Sequence, residues 1–227
     1  MYMFSLKIED VAKFKKIAAF MKSFNNECVI SVDRFGMKVR AATESNTFQF
    51  DAVVHELTVE GKHEITLDTE QLHKVVNSIV GVYEIRYDKV GELMIQNSWS
   101  DYCIKLIDLE EVIPEIPSDI IYDNVQMLDS DRVIMCIKSA TDFGDTFTFR
   151  SDMRLDVVGQ YCSSEVFLKM EVEPKTDTSV ELTKKQLTFI SKLSKFNKKI
   201  SFSISENQPM RIIVVSDTMG VLSLFLN

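Results

Sequence analysis

The chain has 227 residues, 45% of them hydrophobic and 26% charged, with 7 Gly and 4 Pro. That content builds a substantial core, in one large domain or two small ones, and excludes a disordered or fibrous chain. The formal net charge of −8 argues against a uniformly nucleic-acid-binding surface, because phosphate contacts need cations.

Four segments carry helical periodicity, and short β-like runs lie between them. The first helix is predicted over residues 9–24, with Val11, Phe14, Ala18 and Met21 on one stripe. Strands are expected over 28–32, 37–41 and 47–53. The second helix, 68–80, has Asp68 or Thr69 as its N-cap and Leu72, Val75, Val76 and Ile79 on one side. Strands at 83–87, 93–96 and 102–107 follow. The third helix, 129 to about 141, buries Val133, Ile137 and Ala140, and strands at 146–149 and 166–172 come after it. The fourth opens on Thr183-Lys184-Lys185-Gln186, a capping-box pattern, and buries Leu187, Ile190 and Leu193. The last strands are 200–204, 211–215 and 221–226. Phe48-Gln49-Phe50 and Phe147-Thr148-Phe149 alternate with the period of a sheet buried on one face. Many antiparallel strands with a few helices is an α+β plan and not a βαβ winding.

A weak repeat runs through this order. Val59-Glu60-Gly61-Lys62 and Leu67 to Leu72 recur as Val172-Glu173-Pro174-Lys175 and Leu182 to Leu187, and Met37-Lys38-Val39 is echoed by Met153-Arg154-Leu155. The shared order points to two similar domains, each of antiparallel sheets with two helices. Their expected limits are 1–108 and 124–227, joined by a connector over 109–123 that Pro114 and Pro117 keep irregular.

No phosphate-cradling, dinucleotide or nucleophile-elbow motif is present. His55, His63 and His73 lack metal-ligand spacing, and the acids Asp108, Glu110, Glu111 and Glu115 border the proline-bearing connector, where a solvated loop is the plainer account. The sequence therefore predicts no catalytic residue, no metal and no cofactor. Four scattered cysteines without a CxxC pair read as reduced thiols, the N-terminus lacks the order of a secretion signal, and no apolar run reaches membrane-spanning length. An intracellular protein with no membrane partner is expected.

The cations are gathered. Residues 9–24 hold Lys13, Lys15, Lys16 and Lys22 against Glu9 and Asp10 alone, and 183–199 hold six lysines, among them Lys184, Lys185, Lys192 and Lys195, and no acid. Lys74, Arg132 and Lys138 add charge to the other two helices. Solvated helix faces are often lysine-rich for solubility alone. Four helices in duplicate order, two strongly basic within an acidic chain, favour a phosphate-facing surface whose contacts would be sequence-independent and salt-sensitive. A second surface is apolar: Val112, Ile113, Ile116, Ile120 and Ile121 on the connector, and the closing LSLFLN, which either packs on its own domain or docks partner peptides.

The segment Ser100-Asp101-Tyr102-Cys103-Ile104-Lys105-Leu106-Ile107-Asp108-Leu109 and the following Ile113-Pro114-Glu115 resemble the last strand and connector of the proliferating-cell-nuclear-antigen (PCNA) family of sliding DNA clamps. Pro209-Met210-Arg211 through Ser216-Asp217-Thr218-Met219-Gly220-Val221-Leu222 is similar to that family's closing motif, and the opening helix with Glu27-Cys28 and Phe35-Gly36-Met37 also fits. The resemblance implies a homotrimeric, pseudo-sixfold ring around double-stranded DNA, acting as a processivity scaffold and not as an enzyme. DNA polymerase, a clamp loader and other replication or repair proteins would dock through short peptide motifs wherever DNA is being replicated: the nucleus for a eukaryote or a nuclear virus, otherwise the cytoplasm or a viral replication site. It also implies a docking pocket at Ala42, Val112, Ile113, Pro209 and Phe225, with Pro114 and Leu226 beside it. Subunits would pair the strand 101–108, with Tyr102, Ile104 and Leu106, against 164–170 of the next chain, with Val166, Leu168 and Met170. The alternatives are a subunit of a heterotrimeric checkpoint-type or archaeal clamp, and a clamp-like transcription cofactor that does not encircle DNA.

Overall fold

The computed structural model describes residues 2–54, 56–88, 91–108, 113, 116, 120–160, 163–169 and 173–227. Val112, Pro114, Met170, His55, Glu110, Glu111, Glu115 and Cys162 lie outside the described residues. The chain forms two compact units, Met1–Glu115 with Ser216–Val221, and Ile116–Val215 with Leu222–Asn227.

The first unit runs β1 (Phe4–Ile8), α1 (Val11–Phe24), β2 (Glu27–Asp33), β3 (Gly36–Thr43), β4 (Asn46–Ala52), β5 (Leu57–Val59), β6 (His63–Asp68), α2 (Thr69–Ser78), β7 (Tyr83–Tyr87), β8 (Glu92–Gln96) and β9 (Asp101–Lys105). Its strands order as β5-β1-β7-β8-β9 and as β4-β3-β2-β6, antiparallel throughout. Helix α1 begins where the Asp10 carboxylate caps the Lys13 N–H at 3.2 Å, and buries Phe14, Ile17, Ala18, Phe20, Met21 and Phe24. That face is wider than the four-residue stripe expected. Phe20 lies 4.7 Å from the ring of Phe48 on β4, so the helix is held on the sheet by aromatic contact. Asp68 caps α2 through the Gln71 N–H at 2.7 Å, and Leu72, Val76 and Ile79 are fully buried beneath it.

The second unit runs β10 (Asn124–Asp129), α3 (Ser130–Phe143), β11 (Thr146–Arg150), β12 (Arg154–Val158), β13 (Ser163–Phe167), β14 (Ser179–Leu182), α4 (Lys184–Leu193), a 3-10 turn (Ser194–Phe196), β15 (Lys199–Ile204), β16 (Met210–Ser216) and β17 (Gly220–Leu226). Strands β10-β15-β16-β17 and β13-β12-β11-β14 lie side by side in those orders. The two units therefore repeat one plan, with β5 as the first unit's addition. The capping box of α4 is formed on both sides, Thr183 receiving the Gln186 N–H and Gln186 receiving the Thr183 N–H.

Two sequence expectations shift. The strand expected over 166–172 opens earlier, as β13 (Ser163–Phe167), and the Leu168 N–H still bonds the Met153 carbonyl in register, with Met153 at φ +63 in the turn before β12. Residues 170–172 lie outside the described residues. The strand expected over 102–107 ends at Lys105. Gly220 opens β17 at φ +118, and any side chain there would run into the Asp51 carbonyl, so glycine is required.

Candidate nucleic-acid interface

Burying one face of each helix turns the opposite face to water. On α1 that face is Ala12, Lys16, Ala19 and Lys22, and on α2 Glu70, Lys74 and Asn77. On α4 and the 3-10 turn, Lys185, Thr188, Lys192 and Lys195 follow at intervals of three and four and share one side, with Lys192 half-buried. Arg132, Met135, Lys138 and Asp142 are turned outward on α3, with Lys138 exposed. The four helices and the 3-10 turn hold eleven of the chain's 26 basic residues and three of its 34 acids. An acidic chain thus carries basic helices, and its acids concentrate in strands and loops.

Not all eleven cations are free. Lys13 lies 3.4 Å from Asp10 and donates to Thr218 at 2.7 Å and Ser216 at 3.2 Å. Burial works against ionising Asp10, yet donation from Thr218 and Lys13 outweighs it and holds the carboxyl below the usual range. Lys15 donates to the Asn77 carbonyl at 3.1 Å. Lys74 and Lys22 share Glu70 at 3.0 and 3.7 Å, and these bonds hold the Glu70 carboxyl down. Arg132 donates to the Phe167 carbonyl at 3.2 Å, Lys184 to the Thr141 carbonyl at 3.3 Å, and Lys185 lies over the Phe189 ring at 5.7 Å. Among the described residues, the side-chain amines of Lys16, Lys138, Lys192 and Lys195 have no ion pair or hydrogen bond, so those four ammonium groups are unengaged.

The expected docking residues fall in both units. In the first, Ala42 is half-buried on β3 and Ile113 is 8% exposed. In the second, Pro209 is half-buried and Phe225 is 7% exposed, while Leu226 has no exposed surface and offers a partner nothing. At this end of β17 consecutive residues, Leu222 to Leu226, are all buried. Pro209 accepts the Tyr122 hydroxyl at 2.9 Å, and Arg211 stacks on the Tyr122 ring at 4.7 Å, a cluster the sequence reading missed. Of the residues expected at a subunit interface, Ile104 and Leu168 are 1% and 2% exposed in the single chain. Tyr102, Leu106 and Val166 are half-buried. Strand β9 closes one side of its sheet and β13 one side of its own, each with an unpaired edge.

Among the described residues, no three His, Cys, Asp or Glu side chains come together as a metal-ligand set. Nor is any helix there long and apolar enough to cross a membrane.

A PCNA from Entamoeba histolytica superposes with a TM-score of 0.85, covering 100% of this chain and 98% of that one at 18% identity. The fold is that of a PCNA-type sliding clamp. The fold implied by the likeness read from Ser100–Leu109 and from the closing strands is thereby borne out, as is the α+β plan of antiparallel sheets with four helices. A probable DNA polymerase sliding clamp of Paramecium bursaria Chlorella virus 1 is 27% identical over 132 residues, 54% of this chain and 48% of that protein. The chain thus matches about half the length of this curated relative. No protein-family model matches it. On this clamp fold the helices and the 3-10 turn carry eleven basic residues against three acids.

Proposed function

We propose that the chain is a sliding clamp, a scaffold that encircles duplex DNA as a trimer and tethers a polymerase. The observation that carries this reading is the division of charge: basic helices in both units of a clamp fold whose remaining residues are acidic. Lysines and small side chains such as Ala12 and Ala19 on α1 let phosphates approach without reading bases. Encirclement supplies persistence on DNA, so individual contacts can stay weak and permit sliding, while acidic strands discourage binding elsewhere. Polymerase, loader and repair partners would dock through short peptides, and their tethering raises local concentration. The chain acts where DNA is replicated and carries out no chemistry itself.

The test is primer extension on a long circular template with a polymerase and a clamp loader. Adding the protein is expected to lengthen the products, and Lys16→Glu with Lys192→Glu to shorten them. Each phosphate that the variant no longer neutralises should also lower the salt slope of binding by about 0.9. Products of unchanged length with and without the protein overturn the reading. Normal activity of the charge-reversed variant in a DNA-dependent assay would point instead to a clamp-like cofactor that does not surround DNA.

A further inference from the structure

We propose that Trp99 is a base-stacking contact for single-stranded nucleic acid, set at the end of the lysine-bearing helix pair α1–α2. It is the chain's one tryptophan and is 91% exposed. It stands at the tip of the β8–β9 hairpin, Asn97-Ser98-Trp99-Ser100, which carries no charge.

The tip is fixed by Asn97. Its Oδ1 accepts the Trp99 N–H at 2.9 Å, the Ser100 N–H at 2.9 Å and the Ser100 hydroxyl at 3.0 Å. Its backbone N–H donates to the Ser100 carbonyl at 3.0 Å, and its Nδ2 donates to the Val80 carbonyl at 2.8 Å. The backbone beneath the indole is ordered before any ligand arrives, which reduces the entropy lost on binding.

The anchor also places the tip. Val80 follows directly on the end of α2, and Asn77 in the last turn of α2 accepts Lys15 of α1 at 3.1 Å. Trp99 therefore lies at the end of the helix pair occupied by Lys15, with the free Lys16 next to it in sequence. Val80 and Val82, 80% and 46% exposed, are the apolar residues beside it on the α2–β7 turn. Two valines and an indole, beside a cleft that Asn97 and Ser98 line with Lys7, Glu56 and Glu84, are far less than the roughly 800 Å² that each partner buries in a stable protein interface. One base, however, matches an indole face. Cations along the backbone path and an aromatic platform at its end are the combination that holds single strands without regard to sequence.

The proposal rests on the reading of the helix faces as DNA-facing: a strand parted from the duplex as it leaves α1 and α2 would meet the indole. The assay keeps the two apart, because Trp99 fluorescence reports this site alone. Oligothymidylate titrated into the intact protein is expected to quench the emission, and blunt duplex to leave it nearly unchanged. Trp99→Ala is expected to weaken binding of a labelled oligothymidylate roughly tenfold, and Trp99→Phe to restore most of it. Circular dichroism of the variants confirms the fold. Failure of Lys16→Glu to affect primer extension would count against the clamp reading and leave the quenching result standing. Emission that saturating oligothymidylate leaves unquenched, or equal affinity of the native and Trp99→Ala proteins, overturns the stacking role. Quenching that needs a partner protein and not the oligonucleotide also overturns it, in favour of a protein contact.

Discussion

Lys13 and Lys16 sit three residues apart on one helix and are put to different uses. Lys13 ties α1 to Thr218 and Ser216 through hydrogen bonds and shares Asp10 with the helix cap, whereas Lys16 points away from the sheet with no partner among the described residues. Counting lysines therefore overstates the charge available to DNA, and the position of each on its helix decides its role. The thiols divide in the same way. Cys28 has no exposed surface, and burial, followed by the nearby Asp68 carboxylate, pushes its thiol up to about 12. The thiolate is the reactive form, so at pH 8 Cys28 is expected to stay unmodified by iodoacetamide until urea unfolds the chain. Cys103 is exposed on β9, where desolvation followed by Glu92 raises its thiol, and among the described cysteines it should be alkylated first in the native protein, ahead of the half-buried Cys136. Peptide mass spectrometry over a time course reads the order. Early labelling of Cys28 would show that β2 is not packed as described.

Among the elements, α4 carries the densest charge and the most complete local start signal. Its three lysines and Lys195 of the following turn repel one another, and the reciprocal Thr183–Gln186 bonds offset that cost by satisfying N–H groups that the first turn leaves open. Thr183→Ala is expected to lower stability by about 1 kcal/mol, with Thr183→Ser recovering most of it. The urea midpoint at constant m-value measures both, and an unchanged midpoint would mean that packing of Leu187, Ile190 and Leu193 alone sets the helix. This cap was legible because its partners are three residues apart. So were the four helices, whose apolar spacing is local, and β4 and β11, whose Phe-x-Phe alternation is equally so. Legibility ends where pairing is distant. Strands β1, β5, β6, β10, β12 and β14 were not among the runs read as β, although Phe4, Leu6 and Ile8 alternate in β1. The start of β13 at Ser163 is set by pairing with Val158 on β12, and no periodicity within 166–172 encodes that. At the candidate interface, the helices and their lysines were readable. Which lysines are engaged was not, because Lys13 is bound from residues 216 and 218, Lys15 from 77 and Arg132 from 167. Trp99 carried no sequence signal, since its exposure follows from a four-residue turn anchored on Val80.

For the molecule as a whole, sheet edges bear directly on assembly. An unpaired strand edge presents open N–H and C=O groups, and proteins that stay monomeric usually cover or charge such edges. Strand β13 has no fully buried residue, and β9 buries Ile104 alone, so each edge is thinly anchored from within. Pairing β9 of one copy with β13 of the next would complete both ladders, and two unlike edges joined head to tail close into a ring when the rotation permits. Light scattering of the purified chain is then expected to give three times 26.0 kDa, the mass of one chain. Tyr102→Asp and Val166→Asp place charge on half-buried edge positions whose burial the chain alone does not require, so these variants should fall to monomers while keeping the native far-ultraviolet spectrum. A chain that stays monomeric until mixed with other clamp subunits would overturn self-assembly and establish the heterotrimer. If the aspartate variants remain trimeric, the contact between copies lies on other strands, and the free edges of β9 and β13 need a different partner.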